Sequence, residues 1–210
     1  MWKRGLGVRR ITDRIVVCPS WLEAGVQPGD VVIQLDPGMA FGTAEHGTTR
    51  GCLRLLDGLV VGGEQVLDIG TGSGILAIAA ARLGAANVRA VEMDPLACEA
   101  AVENAAANGV SDRVLVEEVA VTDGWMADLP VRDGVVANLE THLLLPLLGG
   151  LASSTRPGGW LLLSGILVDE RDAVVAAVRH VQAGMSLEAE EVDGAWWSAA
   201  FRRSEGSAGA

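Results

Sequence analysis

The nine residues Val66-Leu67-Asp68-Ile69-Gly70-Thr71-Gly72-Ser73-Gly74 constrain this chain more than any other stretch. An apolar run that delivers into three alternating glycines describes a strand entering a tight turn, and a turn without Cβ atoms lets the backbone pass close to a ligand. The helix expected over 75–83 then aims its unpaired N–H groups at the same place. This points to a cofactor site, with a purely structural turn as the plainer alternative. A dinucleotide fingerprint, Gly-x-Gly-x-x-Gly, would place its third glycine where this chain has Ile75, so a nicotinamide nucleotide is the lesser candidate. Glu92 ends the next expected strand, about twenty residues past the glycines, where a carboxylate can accept hydrogen bonds from both hydroxyls of a ribose.

Beyond that turn, strand and helix alternate. Strands are expected over 65–69, 88–92, 114–117, 134–138 and 160–164, and helices over 75–83, 95–108, 143–153 and 170–183. Pro95 opens its helix where a missing N–H does no harm, Asp94 stands ready to cap it, and Asn108-Gly109 closes it. Alternation of this kind gives an α/β, doubly wound, mostly parallel sheet whose ligands bind beyond the carboxyl ends of the strands. Those ends are Asp68, Glu92, Glu117 and Asn138. Stretches 187–192 and 196–202 fit an antiparallel pair about the Asp193-Gly194 turn, which brings the sheet to seven strands. Ahead of the core, 10–18 and 31–35 read as two strands separated by a turn at Pro28-Gly29. A loop over 36–47 follows, and then a helix over 48–56. The expected division is N-terminal strands over 1–36, a core over 37–203 and a disordered tail over 204–210.

At 210 residues the chain suits one well-cored domain. Its 16 basic and 27 acidic residues give a net charge of -11, which repels phosphates and disfavours direct nucleic acid binding. The same acidity would attract a basic protein, or simply keep the surface soluble. No apolar run approaches the roughly 18 uncharged residues of a membrane helix, and Met1-Trp2-Lys3-Arg4-Gly5 lacks the apolar core of a signal peptide. The expectation is a soluble, cytoplasmic protein without a membrane partner. Cys18, Cys52 and Cys98 show no CxxC spacing, so neither a disulfide framework nor a metal site is indicated.

Strand, Gly-x-Gly-x-Gly, helix, strand and acid together resemble the class I, Rossmann-like methyltransferases that use S-adenosylmethionine. Two further stretches narrow the likeness. Leu35-Asp36-Pro37-Gly38-Met39-Ala40-Phe41-Gly42-Thr43, followed by His46, Thr48 and Thr49, resembles the loop ahead of the core in the ribosomal protein L11 methyltransferases, the PrmA family. Val135-Val136-Ala137-Asn138-Leu139 and Leu163-Ser164-Gly165-Ile166-Leu167 are similar to that family's fourth- and fifth-strand motifs. The resemblance implies methyl transfer to amino groups of a protein. It places the cofactor contacts on Thr49, Gly70, Glu92 and Asn138, with Asp68, Thr71, Gly72 and Met93 completing the set. Thr49 fits equally a helix cap, and Asn138 a strand-ending turn. On the acceptor side, Asn138 and the carbonyl of Leu139 would orient the amine. His46 is the nearest titratable group, although a structural histidine fits that loop as well.

Departures from the family fall beside the expected acceptor. Its loop usually reads Gly-Thr-Gly-x-His-x-Thr-Thr, where this chain has Ala44-Glu45 and Gly47, and its small neutral stretch after Asn138 is here Glu140-Thr141-His142. The family also carries a recognition domain ahead of the core, and this chain begins near the end of the linker at Trp2-Lys3-Arg4. Taken alone it is expected to bind cofactor and to methylate the ribosomal protein weakly and salt-sensitively. A small-molecule amine methyltransferase and a relative that holds cofactor without turnover are the alternatives.

Overall fold

The computed structural model describes residues 7–35, 44–182 and 184–205. The first three strands, β1 (Arg9–Arg10), β2 (Ile15–Cys18) and β3 (Val31–Gln34), form a small sheet in which β2 pairs antiparallel with β1 and parallel with β3. Then follow α1 (Gly47–Leu59), β4 (Gln65–Ile69), α2 (Ile75–Leu83), β5 (Asn87–Glu92), α3 (Pro95–Ala107), β6 (Val114–Glu118), α4 (Asp123–Ala127) and β7 (Arg132–Asn138). The chain closes with α5 (Thr141–Ser154), β8 (Thr155–Leu167), α6 (Arg171–Val181), β9 (Met185–Asp193) and β10 (Trp196–Arg203).

The large sheet has the order β6-β5-β4-β7-β8-β10-β9. It is parallel from β6 to β8, and β10 runs antiparallel to both of its neighbours. From β4 the chain winds outward through β5 and β6, then returns to the other side of β4 with β7. The strand order therefore reverses between β4 and β7, and a crevice opens there at the carboxyl ends. Central strands carry nearly continuous apolar runs, such as Val135-Val136-Ala137 and Leu161-Leu162-Leu163, because helices cover both of their faces.

Alternation along the strands divides the core in two. Val66, Val136 and Leu162 face α1 and α2, meeting Leu53, Leu56 and Ile78. Leu67, Val135 and Leu161 face α5 and α6, meeting Leu148, Leu151 and Val178. Ile15, Val17 and Ile33 of the small sheet join the first of these cores. Fully buried leucines such as Leu53 and Leu56 would each cost about 2–5 kcal/mol on truncation to alanine.

The expected elements appear with adjusted bounds, and two differences have clear causes. The single strand expected over 10–18 is a hairpin, β1 and β2, because the Thr12 hydroxyl accepts from the N–H groups of Arg14 and Ile15 and bends the chain. Helix α4 was not foreseen. Its five residues are too few for a helical period, and its signal is the Thr122 hydroxyl accepting from the Trp125 N–H as an N-cap. Asp94 caps α3 as expected, accepting from the Leu96 N–H. Residues 36–43, the heart of the loop motif, and the end of the expected tail lie outside the described residues.

Candidate active site

The turn after β4 is held from three sides. The N–H groups of Gly70 and Thr71 both donate to the Val91 carbonyl of β5, at 2.9 and 3.0 Å, which ties the turn to the neighbouring strand. Beneath it, Asp68 is buried and accepts from the Thr71 hydroxyl at 2.6 Å. Burial pushes the Asp68 carboxyl up to about 6, against the Thr71 hydroxyl and the Ala77 N–H, which favour its charged form; the charge of Glu92 adds to the upward push. Behind the turn, the Asn104 amide of α3 donates to the Ser73 carbonyl at 2.9 Å. Asn104 in turn gives its own carbonyl to Asn108, whose side chain both donates to and accepts from the backbone of Gln34 in β3.

Glu92 closes the front. Its Oε1 accepts from the N–H groups of Met93 and Asp94, and its Oε2 accepts from the Gly72 N–H at 3.1 Å. An ionised carboxylate offers about four acceptor sites. Three of them are engaged with backbone amides, so one remains on Oε2, facing the cavity that Glu92 lines together with Gly70, Thr71, Gly72 and Met93.

That cavity measures about 480 Å³, within the range of a nucleoside-sized ligand. Two apolar segments flank the turn: Val119 and Val121 after β6, on the Glu92 side, where the Val119 N–H donates to the Glu92 carbonyl, and a second wall of Leu139, Leu143, Pro146 and Leu147 after β7. Asn138 and His142 are the polar groups of that wall. The Oδ1 of Asn138 is buried and has no hydrogen-bond partner among the described residues. Such an orphaned acceptor is costly unless something else satisfies it. Leu139 reaches over the turn: a Cβ at Gly70, whose φ is +70°, would lie 2.6 Å from its Cδ2. The Leu139 carbonyl lies against Gly165 of β8, where a methyl group would collide with it, and its N–H donates to the Ser164 carbonyl at 3.1 Å.

Thr49 and His46 stand apart from this cluster. Thr49 lies in the first turn of α1 and its buried hydroxyl lacks a partner among the described residues, yet it is not part of the cavity lining. It does not cap the helix either, since the N-cap is His46, which makes no side-chain cap hydrogen bond. The His46 ring packs on Trp196 with centroids 4.9 Å apart and shares a 2.7 Å hydrogen bond with the Thr48 hydroxyl, away from the lining. Asp68 likewise lies beneath the turn and outside the lining. Reasoning from the sequence set Glu140-Thr141-His142 beside the expected acceptor without naming His142 as a site residue, and it missed the apolar lining. The available signal was topological, since loops after the carboxyl ends of parallel strands border the ligand. Among the described residues no cluster suited to a metal ion occurs, and no helix is long and apolar enough to cross a membrane.

A parallel doubly wound sheet with an antiparallel β10 set between β8 and β9, and with a glycine turn and an acid bordering one cleft at the switch point, is the class I, Rossmann-like methyltransferase fold. The crystal structure of a ribosomal protein L11 methylase from Lactobacillus delbrueckii subsp. bulgaricus superimposes with a TM-score of 0.84 at 31% identity, over 95% of this chain and 100% of that one. The family model described as ribosomal protein L11 methyltransferase (PrmA) matches residues 1–204, and the chain belongs to that family. Among curated relatives of that name, the Chloroflexus aurantiacus protein is 44% identical over 96% of this chain, and the Symbiobacterium thermophilum protein 45% over 84%. The chain spans 67% and 57% of the lengths of these two relatives.

Proposed function

We propose that this chain is an S-adenosylmethionine-dependent N-methyltransferase whose acceptor is an amino group of ribosomal protein L11. The observation that carries the proposal is the single cavity that joins the Glu92-braced glycine turn to the orphaned Oδ1 of Asn138. Family membership and the name shared by the relatives support the choice of acceptor. A cytoplasmic setting goes with that substrate.

The residues present fit the cofactor. The remaining acceptor site on Glu92 suits a ribose hydroxyl, and a second hydroxyl would have to displace one of the three amides already bound there. Val119, Val121 and Leu147 suit the face of a purine. Gly70 and Gly72 let the backbone approach the amino-acid portion, which the Thr49 hydroxyl would reach only across the lining residues. When bound, S-adenosylmethionine supplies an electrophilic methyl group on a sulfonium. Positioning then accounts for most of the catalysis. Asn138 Oδ1 accepts an N–H of the incoming amine and turns its lone pair inward, with the Leu139 carbonyl as the second acceptor. The apolar wall excludes water from the transfer.

A lysine amine with an ordinary pKa of about 10.4 costs roughly 4 kcal/mol to neutralise near pH 7.4. Partial burial beside a sulfonium lowers that cost. The test is incubation of the chain with methyl-labelled cofactor and either purified ribosomal protein L11 or a mixture of free amines and peptides. Label on the amino groups of L11 is expected. Label on small amines alone would redirect the substrate class, and cofactor binding without label in either would leave a binding protein.

A further inference from the structure

We propose that His142, braced by Glu140, is the proton acceptor for the incoming amine; this deepens the function proposed above and rests on it. Among the described residues lining the cavity, Glu92 and His142 are the titratable groups. Three backbone amides hold the Glu92 carboxylate on the side of the glycine turn. His142 lines the same cavity, four residues after Asn138, where the amine is to be oriented. The other described histidine near the site, His46, packs on Trp196 outside the lining.

The pair has the geometry of a solvent-connected base. Glu140 Oε2 lies 3.4 Å from His142 Nδ1, which favours the proton on Nδ1 and leaves Nε2 as the acceptor. The His142 side chain is 70% exposed, so a proton taken at Nε2 has a path to water. Two further carboxylates bear on the ring among the described residues. Glu170, held below the usual carboxylate range chiefly by the Thr141 hydroxyl and also by the Leu167 N–H, feels the charge of His142, and Glu92 lines the same cavity. All three acids favour the imidazolium that forms. In the step itself an N–H bond of the ammonium breaks, its electron pair stays on nitrogen, and the proton bonds to Nε2 and is later released to solvent.

A base of this kind changes the shape of the pH profile. With it, the productive state pairs a protonated amine with a neutral imidazole. At saturating cofactor, once the imidazole is neutral, kcat/KM stays level until the amine itself titrates, near an ordinary value of about 10.4. Without it only the neutral amine reacts, and kcat/KM climbs about tenfold per pH unit between pH 7 and 9. The experiment compares wild type with His142→Gln on L11 and on a lysine peptide. A level wild-type profile and a climbing variant are expected, so that the deficit of the variant shrinks about 100-fold from pH 7 to 9. A second readout needs neither cofactor nor turnover: in NMR titrations of the three histidines, the resonance missing from His142→Gln should titrate at lower pH in Glu140→Gln than in wild type. Parallel kinetic profiles, or an unmoved midpoint, would overturn the base. A wild type that methylates no amine would instead overturn the function on which it rests.

Discussion

The two walls of the cavity are built on opposite principles. On the glycine side the turn is already fixed by the protein: Gly70 and Thr71 by Val91, Gly72 by Glu92, Ser73 by Asn104, and the turn as a whole by buried Asp68. On the Asn138 side an acceptor is left without a partner, and the charged pair of Glu140 and His142 lies open to water. A preorganised wall binds without reorganising, while an unsatisfied one gains most when the missing partner arrives. The contrast supports the proposal that the first wall holds the methyl donor and the second the acceptor.

Substitutions at the two walls should therefore fail differently. The largest effect is expected from Gly165→Ala, which combines a φ of +85° with a methyl group driven into the Leu139 carbonyl. Together these cost about 2–5 kcal/mol and should lower the thermal midpoint by roughly 5–15 °C. A fall below about 2 °C in calorimetry would show that the acceptor wall yields more easily than its packing implies.

Asp68 gives the matching test beneath the donor wall. Burial raises its carboxyl from the ordinary 3.8 to about 6, so the folded state holds the proton longer than the unfolded chain. Its contribution is greatest below pH 3.8 and declines as pH rises to about 6, a loss on the order of 3 kcal/mol. Asp193 has the opposite sign: Arg50 and Arg54 hold it down to about 2, and its contribution is lost as pH falls through that value. Urea melts between pH 4 and 7 should show the decline in wild type and its disappearance in Asp68→Asn. An unchanged slope in the variant would mean that Asp68 remains charged within the fold.

Glu92→Ala and Asn138→Ala separate the walls by function. Removing the carboxylate should weaken cofactor binding about 10- to 150-fold and also free the Gly72 amide, with a smaller effect on turnover at saturation. Removing the amide should lower turnover about tenfold or more beyond any loss in affinity. Calorimetry with steady-state kinetics measures both, and equal losses in Asn138→Ala would make it a cofactor ligand only. The smallest effect belongs to Thr122→Ala, which removes the cap of α4 at about 1 kcal/mol and should leave both binding and turnover near wild type. A marked loss of affinity there would show that α4 props the apolar wall formed by Val119 and Val121.

Legibility in the sequence followed the same divide. The glycine side could be read residue by residue, because the places of Gly70, Gly72 and Glu92 are set by backbone geometry and strand position, which local sequence encodes. The succession of strands and helices along the chain was equally readable, since buried parallel strands and capped helices leave periodic traces, whereas the place of β10 between β8 and β9 was not. Asp68 was expected among the cofactor contacts, but it is buried beneath the turn and outside the lining, which one strand alone does not reveal. The acceptor wall was read only in part. Asn138 carried a motif, and the departure at Glu140-Thr141-His142 was seen to fall beside it, whereas the place of His142 in the lining shows only once α5 is folded back against the cavity. Likewise Thr12 breaks the first strand through its hydroxyl, an effect that competes with strand propensity rather than adding to it.

The amide chain from Ser73 through Asn104 and Asn108 ends on an edge strand. Val31 and Leu35 donate to the neighbouring β2 segment, so the alternate residues Val32 and Gln34 turn their backbone groups outward. An outward-facing edge is a template on which another chain can add a strand. Asn108 occupies it from within, accepting from the Gln34 N–H at 2.8 Å and donating to its carbonyl at 2.6 Å. One asparagine thus pairs with Gln34 as a neighbouring strand would, and it blocks strand addition at that position.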